Sequence, residues 1–135
     1  MRRHPYTLDF TLTVTVVAKM LKKHYSNVPE ESVKLAGSVG ASIRVLINQK
    51  DGAPRFIMRR FEIKRAGHIG LHGHPEEHEI YILSGKTRVF NDKGFETVAE
   101  PGDVLFVPPD ENHGYENVGD ETVVFLCVIP ILAKK

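Results

Sequence analysis

The sequence predicts an all-β domain, a sandwich or barrel of short strands. Short stretches of β-branched and apolar residues alternate with polar ones at a period of two, which is typical of half-buried strands. Turn-forming Gly, Pro, Asn and Asp residues separate these stretches at near-regular intervals, as in all-β domains. The predicted strands cover residues 42–48, 56–64, 69–74, 78–83, 87–91, 95–99, 104–107, 114–118 and 122–129.

Length and charge make this a single domain with no electrostatic signature of nucleic-acid or membrane binding. The chain has 135 residues, and its 18 Lys and Arg nearly balance its 17 Asp and Glu. Nucleic-acid and membrane-surface partners usually require a basic excess, so neither is expected. The one cysteine, Cys127, excludes an intramolecular disulfide and fits a reducing, cytoplasmic compartment.

Residues 1–19 are predicted to be an N-terminal extension of the main domain, which covers residues 20–135. Apolar residues at even positions from 10 to 16 alternate with threonines, which predicts an edge strand. The basic start imitates a secretory signal, but Asp9 interrupts the apolar run and no small-residue cleavage site follows. The run is also far short of a membrane-spanning helix. We expect this strand to add to a sheet edge, because its unpaired backbone groups need partners.

Five of the seven histidines lie between residues 68 and 113. His72 and His74 are two residues apart, so they share one face of a strand. Pro75 ends that strand and lets His78 return to the same interior, and His113 follows another turn. A His-x-His pair alone is weak evidence, because most histidines are surface or hydrogen-bonded residues. Four placed in this way predict a metal centre, and His68 is a weaker candidate.

At this point the chain resembles the cupin family. Two motifs carry the resemblance: His72-x-His74-x3-His78-x6-Gly85 and Gly102-x5-Pro108-x-Asp110-x2-His113-x3-Asn117. The resemblance implies a double-stranded β-helix, or jelly-roll barrel, over residues 20–135. In the second motif Asp110 replaces a glycine, at a turn where Asp is tolerated.

The second departure from the cupin pattern is His78, which stands where most cupins have a glutamate ligand. His78 shares strand parity with Ile80 and is predicted to point inward, while Glu79 shares the outer face with Tyr81. The alternative is that Glu79 is the ligand and His78 a surface residue. The first reading makes the chain similar to small single-domain cupins with four-histidine sites, known from thermophilic bacteria and archaea.

That resemblance implies a homodimer and a manganese ion held by His72, His74, His78 and His113. Imidazole also suits Fe, Ni, Zn and Cu, and the Irving–Williams order favours Cu, Ni and Zn over Mn at such a site. Four neutral ligands leave the charge of a divalent ion uncompensated, and a six-coordinate ion keeps two open positions. The expected function is therefore a metal-dependent oxidoreductase, dioxygenase-like, acting on an unknown small molecule. The alternatives are a non-catalytic small-ligand or sensor cupin, and a purely structural metal, which open coordination disfavours.

Three further residues are candidates for the pocket around the ion. Alternation in the last predicted strand turns Phe125 and Cys127 inward. The favoured interpretation of Cys127 is a small buried hydrophobic residue, and the alternative for Phe125 is plain core. Arg59 is the weaker candidate, as a contact for an anionic substrate, because an exposed arginine on strand 56–64 is the favoured expectation.

Overall fold

A computed structural model describes residues 18–133 of the chain. Within that range the chain forms nine antiparallel strands and three short 3-10 helices. The strands are β1 Glu31–Ser32, β2 Val39–Ile47, β3 Phe56–His72, β4 His78–Ser84, β5 Thr87–Asn91, β6 Glu96–Ala99, β7 Val104–Val107, β8 His113–Asn117 and β9 Val123–Pro130. The 3-10 helices are Tyr25–Asn27, Leu35–Gly37 and Gln49–Asp51.

The strands curl into a nearly closed barrel in the order β6-β5-β8-β3-β9-β4-β7, and β2 pairs with the other edge of β3. This architecture confirms the predicted jelly roll. No helix within residues 18–133 is both long enough and apolar enough to cross a bilayer. The predicted edge strand around residues 10–16 lies outside the described residues, so the extension and its boundary stay predictions.

Strand β3 joins the two halves of the barrel. Its first half pairs with β9, and its second half pairs with β8, between His68 and His72. The sequence predicted two strands here, separated at Ala66 and Gly67, and this prediction was wrong. The ladder with β2 continues from Ala41 to Val39 across an irregularity, and Ala66 takes a φ of 64°. These residues therefore bend the strand, as a β-bulge does, rather than ending it.

The core fills the barrel interior, where inward-facing residues of successive strands alternate with exposed ones. Phe61 on β3 stacks on Phe125 on β9 with ring centres 5.0 Å apart, and Tyr115 on β8 lies 5.1 Å from Phe125. Tyr115 also meets the ring of His113, edge to face, at 5.5 Å. The aromatic core thus extends to the imidazole of His113 at the start of β8.

Gly85, in the turn after β4, occupies a position where both the backbone conformation and the available space exclude a side chain. Its φ is 79°, in the left-handed region. A Cβ at this position would lie 2.8 Å from the carbonyl oxygen of Thr122 and 2.8 Å from Cα of Val123. The turn therefore presses against the start of β9, which explains the glycine that closes the first motif.

Candidate metal centre

Four histidines lie together at one end of the barrel, three of them at strand ends. His72 is the last residue of β3, His78 the first of β4 and His113 the first of β8. The β3–β8 register places His72 directly opposite His113. Ring centres are 4.5 Å apart for His72 and His113, 4.8 Å for His113 and His78, 4.4 Å for His78 and His74, and 5.7 Å for His74 and His72. The four imidazoles form a closed circle, called the histidine cluster below.

His74 lies beyond the end of β3, so strand parity does not place it. Its loop packs instead against the loop that leads into β8. The amide of Asp110 donates to the carbonyl of His74 at 2.8 Å, and a Cβ at Gly73 would collide with Oδ1 of Asn112. Asp110 has a φ of 64°, a conformation that Asp tolerates better than most residues. Loop packing therefore completes the cluster, and it explains why Asp can replace the motif glycine.

Hydrogen bonds to backbone carbonyls fix the tautomers of His72 and His113. Nδ1 of His72 lies 2.7 Å from the carbonyl oxygen of Gly70, and Nδ1 of His113 lies 2.8 Å from that of Glu111. A carbonyl only accepts, so both Nδ1 atoms must carry the proton. Each Nε2 is then an unprotonated donor atom for a metal, which is the usual arrangement of histidine ligands.

His78 points into the barrel, and Glu79 points out. The side chains of His78 and Ile80 are both buried, with 3% exposure each, whereas Glu79 and Tyr81 are exposed on the outer face. Nε2 of His78 lies 2.6 Å from Nε2 of His74. His78, not its acidic neighbour, is therefore in contact with the other histidines.

Burial keeps the imidazoles of His74, His78 and His113 neutral. It lowers the pKa of His78 from 6.5 to about 2, with a further contribution from the charge of Arg59. It also lowers the pKa of His113 from 6.5 to about 4 and shifts the pKa of His74 downward. Neutral imidazole is the form that binds metal, so at neutral pH these three histidines carry no positive charge that would oppose a cation.

The cluster fits a divalent transition-metal ion. The ligand nitrogens of His72, His74 and His113 all lie within 4.8 Å of one another, and His78 adjoins them through His74. Nε2 of His113 is buried and finds no hydrogen-bond partner among the described residues. A buried acceptor without a partner is costly, and a cation at the cluster would satisfy it. The donor set contains only imidazole nitrogens, which suit Mn, Fe, Ni, Cu and Zn.

The three candidate pocket residues have different surroundings. Cys127 is fully buried, with Sγ 2.7 Å from Nδ1 of His78, and burial raises the pKa of its thiol. The expectation of an exposed Arg59 was wrong: its side chain is half-buried, with Nη2 3.1 Å from both Nδ1 of His78 and Sγ of Cys127. Phe125 stacks within the aromatic core. Cys127 and Arg59 thus adjoin the cluster, whereas Phe125 reaches it only through Tyr115, which contacts both Phe125 and His113.

Sequence reasoning missed the groups that hold the rings in place. They are the carbonyls of Gly70 and Glu111, the carboxylate of Glu76 with Oε1 3.3 Å from Nδ1 of His74, and the ring of Tyr115. Backbone carbonyls leave no trace in a sequence. Glu76 and Tyr115 each lie two residues from a cluster histidine, and that spacing was the available signal.

Comparison with known proteins identifies the family. The Cupin domain model matches residues 59–129, more than half of the chain, and this span contains the whole histidine cluster. The chain belongs to the cupin family. The comparison confirms the resemblance drawn from the two motifs.

Relatives of this cupin carry different names. An oxalate-binding protein of Thermotoga maritima is 36% identical over 76 residues, which cover 56% of this chain and 63% of the relative. The oxalate decarboxylase OxdC of Bacillus subtilis is 46% identical over 61 residues, covering 42% of this chain and 16% of the relative. The chain therefore spans less than two thirds of the length of the curated relatives it matches.

A solved structure extends the comparison. The polyketide cyclase RemF from Streptomyces resistomycificus superposes with a TM-score of 0.76 at 35% identity, covering 83% of this chain and 80% of RemF. The same barrel fold thus occurs in proteins with unrelated names. The substrate must therefore be argued from the site rather than from the fold.

Proposed function

We propose that this cupin is a metal-dependent oxidoreductase, dioxygenase-like, that acts on a small carboxylate anion at the histidine cluster. His72, His74, His78 and His113 would hold one divalent ion through their Nε2 atoms. Manganese is the metal that the four-histidine resemblance implies. When bound, the ion supplies Lewis-acid and redox chemistry.

The observation that carries this proposal is the all-imidazole composition of the cluster. Glu79, the acidic neighbour of His78, lies on the outer face of β4, and His78 occupies the inner face in its place. The carboxylate of Glu76 contacts Nδ1 of His74, the nitrogen that the proposed ion does not use. Four neutral ligands offer no negative charge to balance a divalent cation. The half-buried guanidinium of Arg59 adds a further positive charge near His78. This charge balance favours an anionic ligand.

This charge favours small anions, and the names of the curated relatives point within that class to a dicarboxylate. Both are named for oxalate, one as a binding protein and one as a decarboxylase. A second candidate function, non-catalytic binding of the same anion, is favoured by the name of the Thermotoga maritima relative. Oxalate is therefore the first probe to test.

The test combines metal analysis with binding and turnover. Metal-free protein is reconstituted with Mn(II) or with Fe(II), and elemental analysis counts the bound ion. Oxalate binding is then followed calorimetrically, and dioxygen uptake and product formation are recorded on the same samples. We expect one ion per chain, oxalate binding by the loaded protein only, and turnover.

The outcomes separate the candidates. Oxalate binding without dioxygen uptake or any product supports the non-catalytic alternative. Failure of wild-type protein to take up Mn, Fe or Zn refutes the metal centre. His68→Ala is the matched control, because His68 is a half-buried β3 histidine outside the cluster. It should retain metal, whereas His72→Ala should lose it.

A further inference from the structure

The cluster histidines differ in what their outer nitrogens contact. Nδ1 of His72 and Nδ1 of His113 both donate to backbone carbonyls. Nδ1 of His78 instead lies 2.7 Å from Sγ of Cys127 and 3.1 Å from Nη2 of Arg59. The strand register accounts for this contact, because Cys127 on β9 pairs with Arg59 on one side and with Ile80 of β4 on the other.

Donor and acceptor roles can be followed along this chain of contacts. The carboxylate of Glu76 can only accept a hydrogen bond. Its Oε1 lies 3.3 Å from Nδ1 of His74 without forming a hydrogen bond, and its negative charge at that distance favours a proton on Nδ1 of His74. Nε2 of His74 is then an acceptor. At 2.6 Å, Nε2 of His78 must be the donor in that pair. Nδ1 of His78 is therefore unprotonated and accepts from Arg59, which can only donate.

This arrangement is the wrong one for a metal ligand. A proton on Nε2 blocks the nitrogen that faces the other histidines, so ligation through it requires the proton to be on Nδ1. A protonated Nδ1 needs an acceptor, and the guanidinium of Arg59 cannot serve. Sγ of Cys127 is the other atom in contact with Nδ1 among the described residues, and sulfur can accept.

We infer that Cys127 is a positioning residue: its sulfur accepts the Nδ1 proton of His78 and so holds that imidazole in the tautomer that binds metal through Nε2. This inference rests on the proposed metal centre. Arg59 contributes by donating to the same sulfur at 3.1 Å, while its guanidinium lies over the ring of Phe61 at 5.0 Å. The metal-free and metal-bound proteins then differ in the tautomer of His78.

The inference has a measurable consequence for metal affinity. Losing the hydrogen-bond partner of a histidine ligand typically costs 10- to 100-fold in affinity. Cys127→Ala removes the acceptor, so the affinity should fall by that factor. Cys127→Ser restores an acceptor and should return most of the affinity.

The experiment uses Zn(II) as a diamagnetic probe of the full chain. Long-range proton–nitrogen NMR on ¹⁵N-histidine-labelled protein reports the tautomer of His78, and competition with a chelator gives the zinc affinity. We expect a proton on Nε2 of His78 without zinc and on Nδ1 with zinc. Val123→Ala is the matched control, because Val123 is fully buried on the same strand as Cys127. It should bind zinc as the wild type does.

Several results would overturn the inference. Zinc affinity of Cys127→Ala within twofold of wild type would do so, and so would Cys127→Ser binding as weakly as Cys127→Ala, since packing would then be the cause. Zinc ligation of His78 through Nδ1 in the wild type would also refute it without any variant. Wild-type protein that binds no zinc would instead refute the proposed metal centre, and the inference with it.

Discussion

Exchanging the two neighbours His78 and Glu79 for alanine, one at a time, tests which of them serves the metal. His78 is 3% exposed, and its Nε2 lies 2.6 Å from Nε2 of His74. Glu79 is exposed on the other face of β4. Both variants truncate a polar side chain on the same strand, so each controls for the other.

The two expected magnitudes differ widely. His78→Ala removes one of the four imidazole ligands. Losing the hydrogen-bond partner of a ligand typically lowers metal affinity at least tenfold, or about 1.4 kcal/mol, and losing the ligand itself should cost no less. A carboxylate across the sheet, taken as roughly 10 Å from a divalent ion, interacts with it by less than about 1 kcal/mol in water, before salt screening. Because roughly 10 Å is one Debye length at about 0.1 M salt, screening lowers this interaction to about a third, and Glu79→Ala should change the affinity by about twofold or less.

Metal affinity is measured by chelator competition at two salt concentrations, with His78→Glu as a third variant. His78→Glu should retain the ion and lower the effective charge of the centre by about one unit, which weakens anion binding. If Glu79→Ala strips the metal while His78→Ala is silent, the four-histidine assignment is wrong. The argument for an anionic ligand would fail with it.

Three further outcomes are expected. Deleting residues 1–19 should leave the metal content unchanged and weaken the homodimer that the four-histidine resemblance implies, as measured by sedimentation. A folded truncation without metal contradicts this. In metal-free protein the pKa values of His78 and His113, lowered to about 2 and about 4, mean that the unfolded chain binds more protons below pH 6.5. Stability should therefore fall from pH 7 to pH 5, by up to about 2 kcal/mol for each histidine, and a pH-independent urea midpoint would disprove it. Gly85→Ala should lower the unfolding free energy by about 2 kcal/mol or more, because the added Cβ would collide with the start of β9. Gly94→Ala should cost only the backbone term of about 1 kcal/mol, because Gly94 has a φ of 92° and open space around it. Equal losses would refute the packing argument.

Strand periodicity and the two motifs were sufficient to predict the barrel and the family. Alternation along β4 also predicted that His78 turns inward with Ile80 and that Glu79 turns outward. These predictions succeed because side-chain direction along a strand is a local property with a period of two. Sequence could not predict that β3 continues through Ala66, because the pairing with β2 that carries it across the bulge is a long-range interaction.

The tertiary structure alone decided how each histidine is held. His74 owes its position to packing between two loops distant in sequence, and Nδ1 of His113 finds a carbonyl two residues away only because the chain turns there. Cys127 contacts His78, 49 positions away in the sequence, through the pairing of β9 with β4. The sequence thus determined which residues face inward, since that follows from strand parity. Hydrogen-bond partners required the fold, because they depend on strand register, and register is a property of pairs of strands rather than of either one.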